Sequence, residues 1–256
     1  VGYLLNTGGE EIGRSVELVE VFSLFREPPV QNKSILLLAV AATSLISMSA
    51  SAAVIASWSM ATAIPAATTG TSYNYGAADS GDLASGTMLS SGHAAAATTY
   101  STPAGNGSAY SFSSNNWAIG DYYQVSVSTI GYSGVSISWD QTRSSTGPAT
   151  FDAVMSVDGG TNWTTILTGY SVVQAGLAGT NTTSWSTVTS QAAFTLTAVA
   201  GAAADEQANV LFRLRSTVTT TAAGTNRIDN FIVSTVPAPG AIALLGLAGL
   251  IGRRRR

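Results

Sequence analysis

The residues of this chain with the right types for chemistry are few, and their spacing limits what they can do. His93, in Ser91-Gly92-His93-Ala94-Ala95, is the single histidine. Any Ser-His-Asp relay would have to use it, and no G-x-S-x-G nucleophile elbow lies near it. Sites built on several histidines are excluded. The absence of cysteine removes disulfides, thiolate chemistry and cysteine-ligated zinc or iron–sulfur centres. Glycoside hydrolysis needs a pair of carboxyl groups. Glu206, in Ala203-Ala204-Asp205-Glu206-Gln207, is the one glutamate between residues 53 and 235. Four of the eight aspartates of that stretch, Asp82, Asp121, Asp158 and Asp229, stand next to glycine or asparagine, as turn residues do. They read as solvated turns, so no catalytic, cofactor or metal residue is assigned.

Five tryptophans remain: Trp58, Trp117, Trp139, Trp163 and Trp185. A flat indole face can stack on a sugar ring while its N–H finds a polar partner. Trp139 lies in an alternating stretch and Trp163 at the end of a turn, so both are expected in the core. Trp117 and Trp185 flank Asn/Ser/Thr-rich loops and are expected exposed, as the candidate sugar-stacking pair. The segment Ser156-Val157-Asp158-Gly159-Gly160-Thr161-Asn162-Trp163 has S-x-D-x-G-x-x-W spacing. It resembles the Asp-box, a hairpin signature of sialidases and other secreted β domains. Asp158 should accept hydrogen bonds from turn amides, the glycines should take positive φ, and Trp163 should pack beneath the turn. With one copy present, the resemblance implies a capped hairpin.

The elements that must carry these residues read as short strands. Residues 122–128 and 134–140 alternate apolar and small polar side chains, the period of a half-buried strand. Further strands are expected at 150–157, 163–167, 193–199, 210–217 and 227–233. In 210–215 both arginines, Arg213 and Arg215, fall on one face. Gly, Asn, Asp and Ser clusters separate the runs, and no segment of the body has a sustained helical period with caps. Residues 179–189 and 219–225 read as Thr-rich loops or edge strands. The expected fold class is all-β, an antiparallel two-sheet sandwich with a jelly-roll-like layout whose last strand pairs into the sheet. No fixed-period repeat suggests a propeller or solenoid.

Composition agrees with an uncharged, Thr/Ser-faced β protein. Charged residues are 10% of the 256 residues while hydrophobic ones are 45%, which is not the balance of a disordered chain. Between residues 53 and 235, four arginines face nine acids, leaving about −5. Such a body lacks the basic patch that nucleic-acid binding requires.

Both ends carry targeting patterns. Lys33 precedes an apolar run from Ile35 to Ile46, followed by Ser47-Met48-Ser49-Ala50-Ser51-Ala52. Small residues at Ala50 and Ala52 complete a secretory signal over residues 32–52, with signal peptidase expected to cut after Ala52, or after Ala53 as second choice. Residues 1–31 hold five glutamates and two arginines, the wrong charge for a signal's leading region. They read as a mis-called start or a disordered extension, with translation expected to begin near Val30.

At the other end, Val236-Pro237-Ala238-Pro239-Gly240 is followed by an apolar run and then Arg253, Arg254, Arg255 and Arg256. The prolines end the sheet. About twelve apolar residues make a helix of roughly 18 Å, short of the roughly 30 Å hydrocarbon core. The arginines would stay on the cytoplasmic side, so a transient anchor is expected. This order of parts resembles the PEP-CTERM family of exported bacterial proteins, with Ala238 in place of the usual glutamate. The resemblance implies recognition by an exosortase-type membrane enzyme, cleavage near the motif, and delivery to the cell surface or extracellular matrix, often in exopolysaccharide producers.

The chain therefore divides into residues 1–31, a signal over 32–52, a sandwich body over 53–235, and a sorting tail over 236–256. An N-terminal signal helix and a short C-terminal apolar helix should flank the body. Three functions are weighed for it: a non-enzymatic structural surface or matrix protein, a carbohydrate-binding module for exopolysaccharide, and a secreted glycoside hydrolase using Glu206. The first is the leading reading, with no cofactor and no nucleic-acid partner.

Overall fold

Alternation along the chain sets which way each strand faces. In the computed structural model, which describes residues 52–176 and 185–236, Tyr123, Val125 and Val127 are buried while Tyr122, Gln124 and Ser126 are partly exposed. That is the period of two expected of a half-buried strand. Twelve strands are described: β1 (Val54–Trp58), β2 (Ser72–Gly76), β3 (Met88–Gly92), β4 (Tyr100–Ser101), β5 (Phe112–Ser114), β6 (Tyr122–Val127), β7 (Val135–Arg143), β8 (Thr150–Ser156), β9 (Thr164–Ser171), β10 (Thr195–Val199), β11 (Val210–Ser216) and β12 (Asn226–Thr235). The only helical turns among the described residues are two 3-10 turns, Ala192–Phe194 and Ala202–Ala204.

The strands form two six-stranded antiparallel sheets. In the first, β10, β7, β12, β5 and β4 are neighbours in that order, and β1 also pairs with β12. The second runs β2-β3-β6-β11-β8-β9. Successive strands mostly change sheet, so the inner faces of both sheets close on one apolar core. Trp58, Ile137, Trp139, Phe231 and Val233 from the first sheet join Leu89, Val125, Phe151 and Phe212 from the second in one buried cluster. Its aromatic seam includes Trp139 stacked on Phe231 at 6.3 Å and edge-on to Tyr170 at 5.4 Å. Such pairs contribute beyond their area, about 1 kcal/mol each. The all-β sandwich expected from the alternation is the fold observed.

Strand β12 organises the first sheet. One edge pairs with β7 along its length, and the other is shared by β5, through Asn226 to Ile228, and β1, through Phe231 to Ser234. Between these halves lies a bulge, where the register to β7 shifts between Asp229 and Ile232 and Asn230 takes φ +47°. Just before β1, Ala53 N–H donates to Thr235 Oγ1 at 2.9 Å, and Thr235 N–H donates to Ala53 O at 3.0 Å.

Seven strands expected from alternation, β6 to β12, are present with ends moved by up to four residues. The loop readings hold where they can be seen, since residues 217–225 contain no strand. Two corrections concern the tryptophans. Trp117 and Trp185, expected exposed, are 1% and 5% accessible. Trp163, expected in the core, is only partly buried. Residues 1–31, the signal up to Ser51, the flanking helices and the tail from Pro237 onward lie outside the described residues, as do residues 177–184. Among the described residues, no helix is long and apolar enough to cross a membrane.

Candidate functional site

The outer face of the second sheet gathers Tyr122, Gln124, Arg213 and Arg215, with Trp163 beside them. On β6, Tyr122 and Gln124 point outward between buried neighbours. Arg213 and Arg215 do the same on β11, whose register sets Arg213 opposite Gln124 and Arg215 opposite Tyr122. On the far side of β11, Arg215 stands opposite Asp152 of β8. The Arg213 guanidinium carbon lies 3.7 Å from the Tyr122 ring centroid and 4.2 Å from that of Trp163. Both distances fall within cation–π range. Arg213 Nε donates to Gln124 Oε1 at 2.6 Å. Arg215 pairs with Asp152 at 3.3 Å, and Asp152 also accepts from Gly169 N–H at 2.8 Å.

Two local devices hold the rings in place. Gly92 on β3 lies opposite Tyr122, where a Cβ would come within 2.5 Å of the phenol ring. Glycine therefore lets the ring lie flat across the sheet. Trp163 is held by the Asp-box turn between β8 and β9, as the spacing predicts. Asp158 accepts from the amides of Thr161 and Asn162 and from Asn162 Nδ2, at 2.7–3.1 Å. Ser156 Oγ donates to Asp158 at 2.7 Å, and Trp163 Nε1 donates back to Gly160 O at 2.9 Å. Gly159 and Gly160 take φ of +74° and +92°. The hydrogen bonds, those from Asn162 foremost, pull the Asp158 pKa down to about 2.

No family model and no curated protein sequence matches this chain. Among solved structures, the CBM22-1 xylan-binding domain of Paenibacillus barcinonensis Xyn10C is similar at 14% identity and TM-score 0.38, over 72% of this chain and 96% of that one. A cleaved adhesin domain of Lys-gingipain from Porphyromonas gingivalis is similar at 16% identity and TM-score 0.39, over 70% and 97%. Neither likeness bears on the face described above.

His93 sits in a relay-like arrangement inside the fold. Its Nδ1 lies 3.1 Å from Asp121 Oδ2, and its Nε2 lies 3.0 Å from Ser91 Oγ and 3.1 Å from Ser114 Oγ. The connectivity is that of a nucleophile, base and acid. Both serines are buried, however, and the imidazole packs edge-on to Trp117 at 4.5 Å. Nε2 faces the core, so these contacts tie β3 to β5 and to the loop before β6. Burial works to raise the Asp121 pKa, but hydrogen bonds from His93 and the amides of Ala118 and Ala94 outweigh it and leave the value lowered.

Asp140 and Asp229, in the strands where alternation places them, form a second buried cluster and are not solvated. They face each other across β7 and β12 at 3% and 0% exposure. Asp229 accepts from Asn106 N–H at 2.7 Å, Ser108 Oγ at 2.6 Å and Asn230 N–H at 2.8 Å. Asp140 accepts from Thr195 Oγ1, Asn106 Nδ2 and Asn230 Nδ2. Burial raises the Asp229 pKa to about 6 against these hydrogen bonds, with the Asp140 charge adding to the rise. The donors are all N–H or O–H groups, so this pair fastens loops. No cluster of three or more His, Asp or Glu able to hold a metal occurs among the described residues.

The remaining sequence candidates scatter. Trp117 donates from Nε1 to Ser114 O at 3.0 Å and packs on Tyr123 and Phe151. Trp185 lies edge-on to Phe194, with the Arg227 guanidinium 5.0 Å from its ring. Glu206 is exposed and accepts from Gly131 N–H at 2.7 Å, stitching two loops. Alternation places Arg213 and Arg215 on one face, whereas the nearness of Tyr122 to them depends on the β6–β11 register, which no single strand's pattern encodes.

Proposed function

We propose that this chain is an exported, non-catalytic protein of the cell surface or extracellular matrix, and that its sandwich binds a polysaccharide on the outer face of the second sheet. The observation that carries the binding reading is the Tyr122–Arg213–Trp163 stack. It fixes two aromatic rings and a hydrogen-bonding fork on one half-exposed strand face, beside Gln124 and Arg215. Rings held in this way lose little freedom when a sugar stacks on them. Export would follow the signal ending at Ala52 and the tail from Val236 through Pro237, Ala238, Pro239 and Gly240 to Arg253–Arg256, read by signal peptidase and an exosortase-type enzyme. A jelly-roll layout is the form of sandwich that fits the frequent exchange of strands between sheets.

Affinity electrophoresis of the full chain against a panel of neutral and acidic polysaccharides tests the binding function. At least one polymer should retard the protein, and Trp163→Ala should weaken that retardation about tenfold. A panel that leaves mobility unchanged throughout removes the binding reading. Terminal peptide mapping of the mature protein tests the route: an amino terminus at Ala53 and a carboxyl terminus near residues 236–240 are expected, whereas a retained arginine cluster contradicts sorting.

A further inference from the structure

The same face carries an unbalanced charge. Of the four arginines in the body, two stand on adjacent outward positions of β11. Only one acid, Asp152, pairs with them, and it pairs with Arg215. Asp158, in the neighbouring turn, spends its oxygens on Ser156, Thr161 and Asn162. Arg213 has no carboxylate partner among the described residues, and its one hydrogen bond to protein goes from Nε to the neutral Gln124. Burial, and after it the charge of Arg215, lower its pKa, so the protein leaves this cation poorly compensated.

The guanidinium is also oriented. Aromatic rings flank it and Gln124 holds Nε, which leaves the Nη pair without a partner among the described residues. That edge of the fork matches the two oxygens of a carboxylate. We infer that the polysaccharide bound on this face is an acidic one, whose sugar carboxylate is taken by the Nη edge of Arg213 while the pyranose ring rests against Tyr122 or Trp163. The inference rests on the glycan-binding reading above and sharpens it to uronate-type polymers. The body's net charge of about −5 repels polyanions in general. Retention of such a polymer would therefore report a local contact and not a diffuse attraction.

The test compares polygalacturonate with the same polymer after carboxyl reduction, using affinity electrophoresis of the full chain at two salt concentrations. Expected is retention by the acidic polymer, at least tenfold weaker binding to the reduced one, and a similar loss for Arg213→Gln. Arg213→Lys keeps the charge without the fork and should recover only part of the affinity. Near-ultraviolet circular dichroism of each variant establishes that the aromatic packing is intact. Where Arg213→Gln disturbs it, the wild-type comparison of the two polymers decides alone. Equal binding of both polymers overturns the acidic assignment and leaves the glycan-binding reading standing. Binding of neither, with no retention by other polysaccharides, overturns both.

Discussion

Asp158 and Asp229 carry the same carboxyl group under opposite conditions. Asp158 is solvated and ringed by donors, which hold its pKa at about 2, while Asp229 is buried, which raises its value to about 6. The pH dependence of stability follows from the signs. Between its unfolded value near 4 and its folded value near 6, Asp229 binds a proton more tightly when folded, so stability rises as pH falls through 6. The shift corresponds to about 3 kcal/mol. Asp158 and Asp121 are depressed in the folded state, so their contribution is present above about pH 4 and lost as pH falls through their folded values. Denaturant midpoints measured from pH 3 to 8 should therefore peak near pH 4 to 5. A midpoint that climbs steadily from pH 5 to 8 would contradict this assignment. Composition identified Asp158 correctly as a turn residue, because its partners lie within four positions of it. Alternation places Asp229 in a strand, but its partners Asn106 and Ser108 stand more than a hundred residues away, so its satisfied burial is not encoded locally.

At the scale of elements, the bulge in β12 makes a specific claim. Asn230 occupies the left-handed region at φ +47° and donates from Nδ2 to Asn106 O at 3.0 Å and Asp140 Oδ2 at 2.8 Å. Asn230→Ala keeps the strained backbone and removes both bonds, so a loss of about 2 to 3 kcal/mol is expected. Equilibrium urea unfolding measures it; a loss below about 0.5 kcal/mol would show that the bulge does not depend on this side chain. The same element illustrates what pattern reading recovers. Strands β6, β7, β11 and β12 run six to ten residues, long enough for alternation to register, and their buried and partly exposed positions largely follow it. Strands β2 to β5 span two to five residues rich in serine, glycine and tyrosine. Such segments hold their place through β6 and β12, so their own sequence carries little of the signal. The candidate face divides likewise: both arginines were placed by alternation within β11, whereas Trp163 and Tyr122 join them only through pairing between strands.

For the whole molecule, the first sheet depends on β12 because that strand alone joins β7 to β5 and β1. A chain ending at residue 225 should therefore show no cooperative thermal transition, since Phe231 and Val233 leave the core and Trp58 loses its edge-on partner at 6.0 Å. Calorimetry reads this directly, and a transition within a few degrees of the parent would refute it. The charge pattern is also legible only at this scale: an acidic body with a locally cationic sheet face requires the fold to bring Arg213 and Arg215 beside Tyr122 and Trp163.

On the export route proposed above, the Ala53–Thr235 latch bears on the order in which the sheets are completed. A chain threaded through a membrane from its amino end delivers β1 first, yet β1 has no sheet to join until β12 emerges. The opening strand must wait for the closing one. On that route the first sheet lacks its β1–β12 pairing until the last strand has emerged. Its last sheet edge closes when the segment just ahead of the prolines clears the pore.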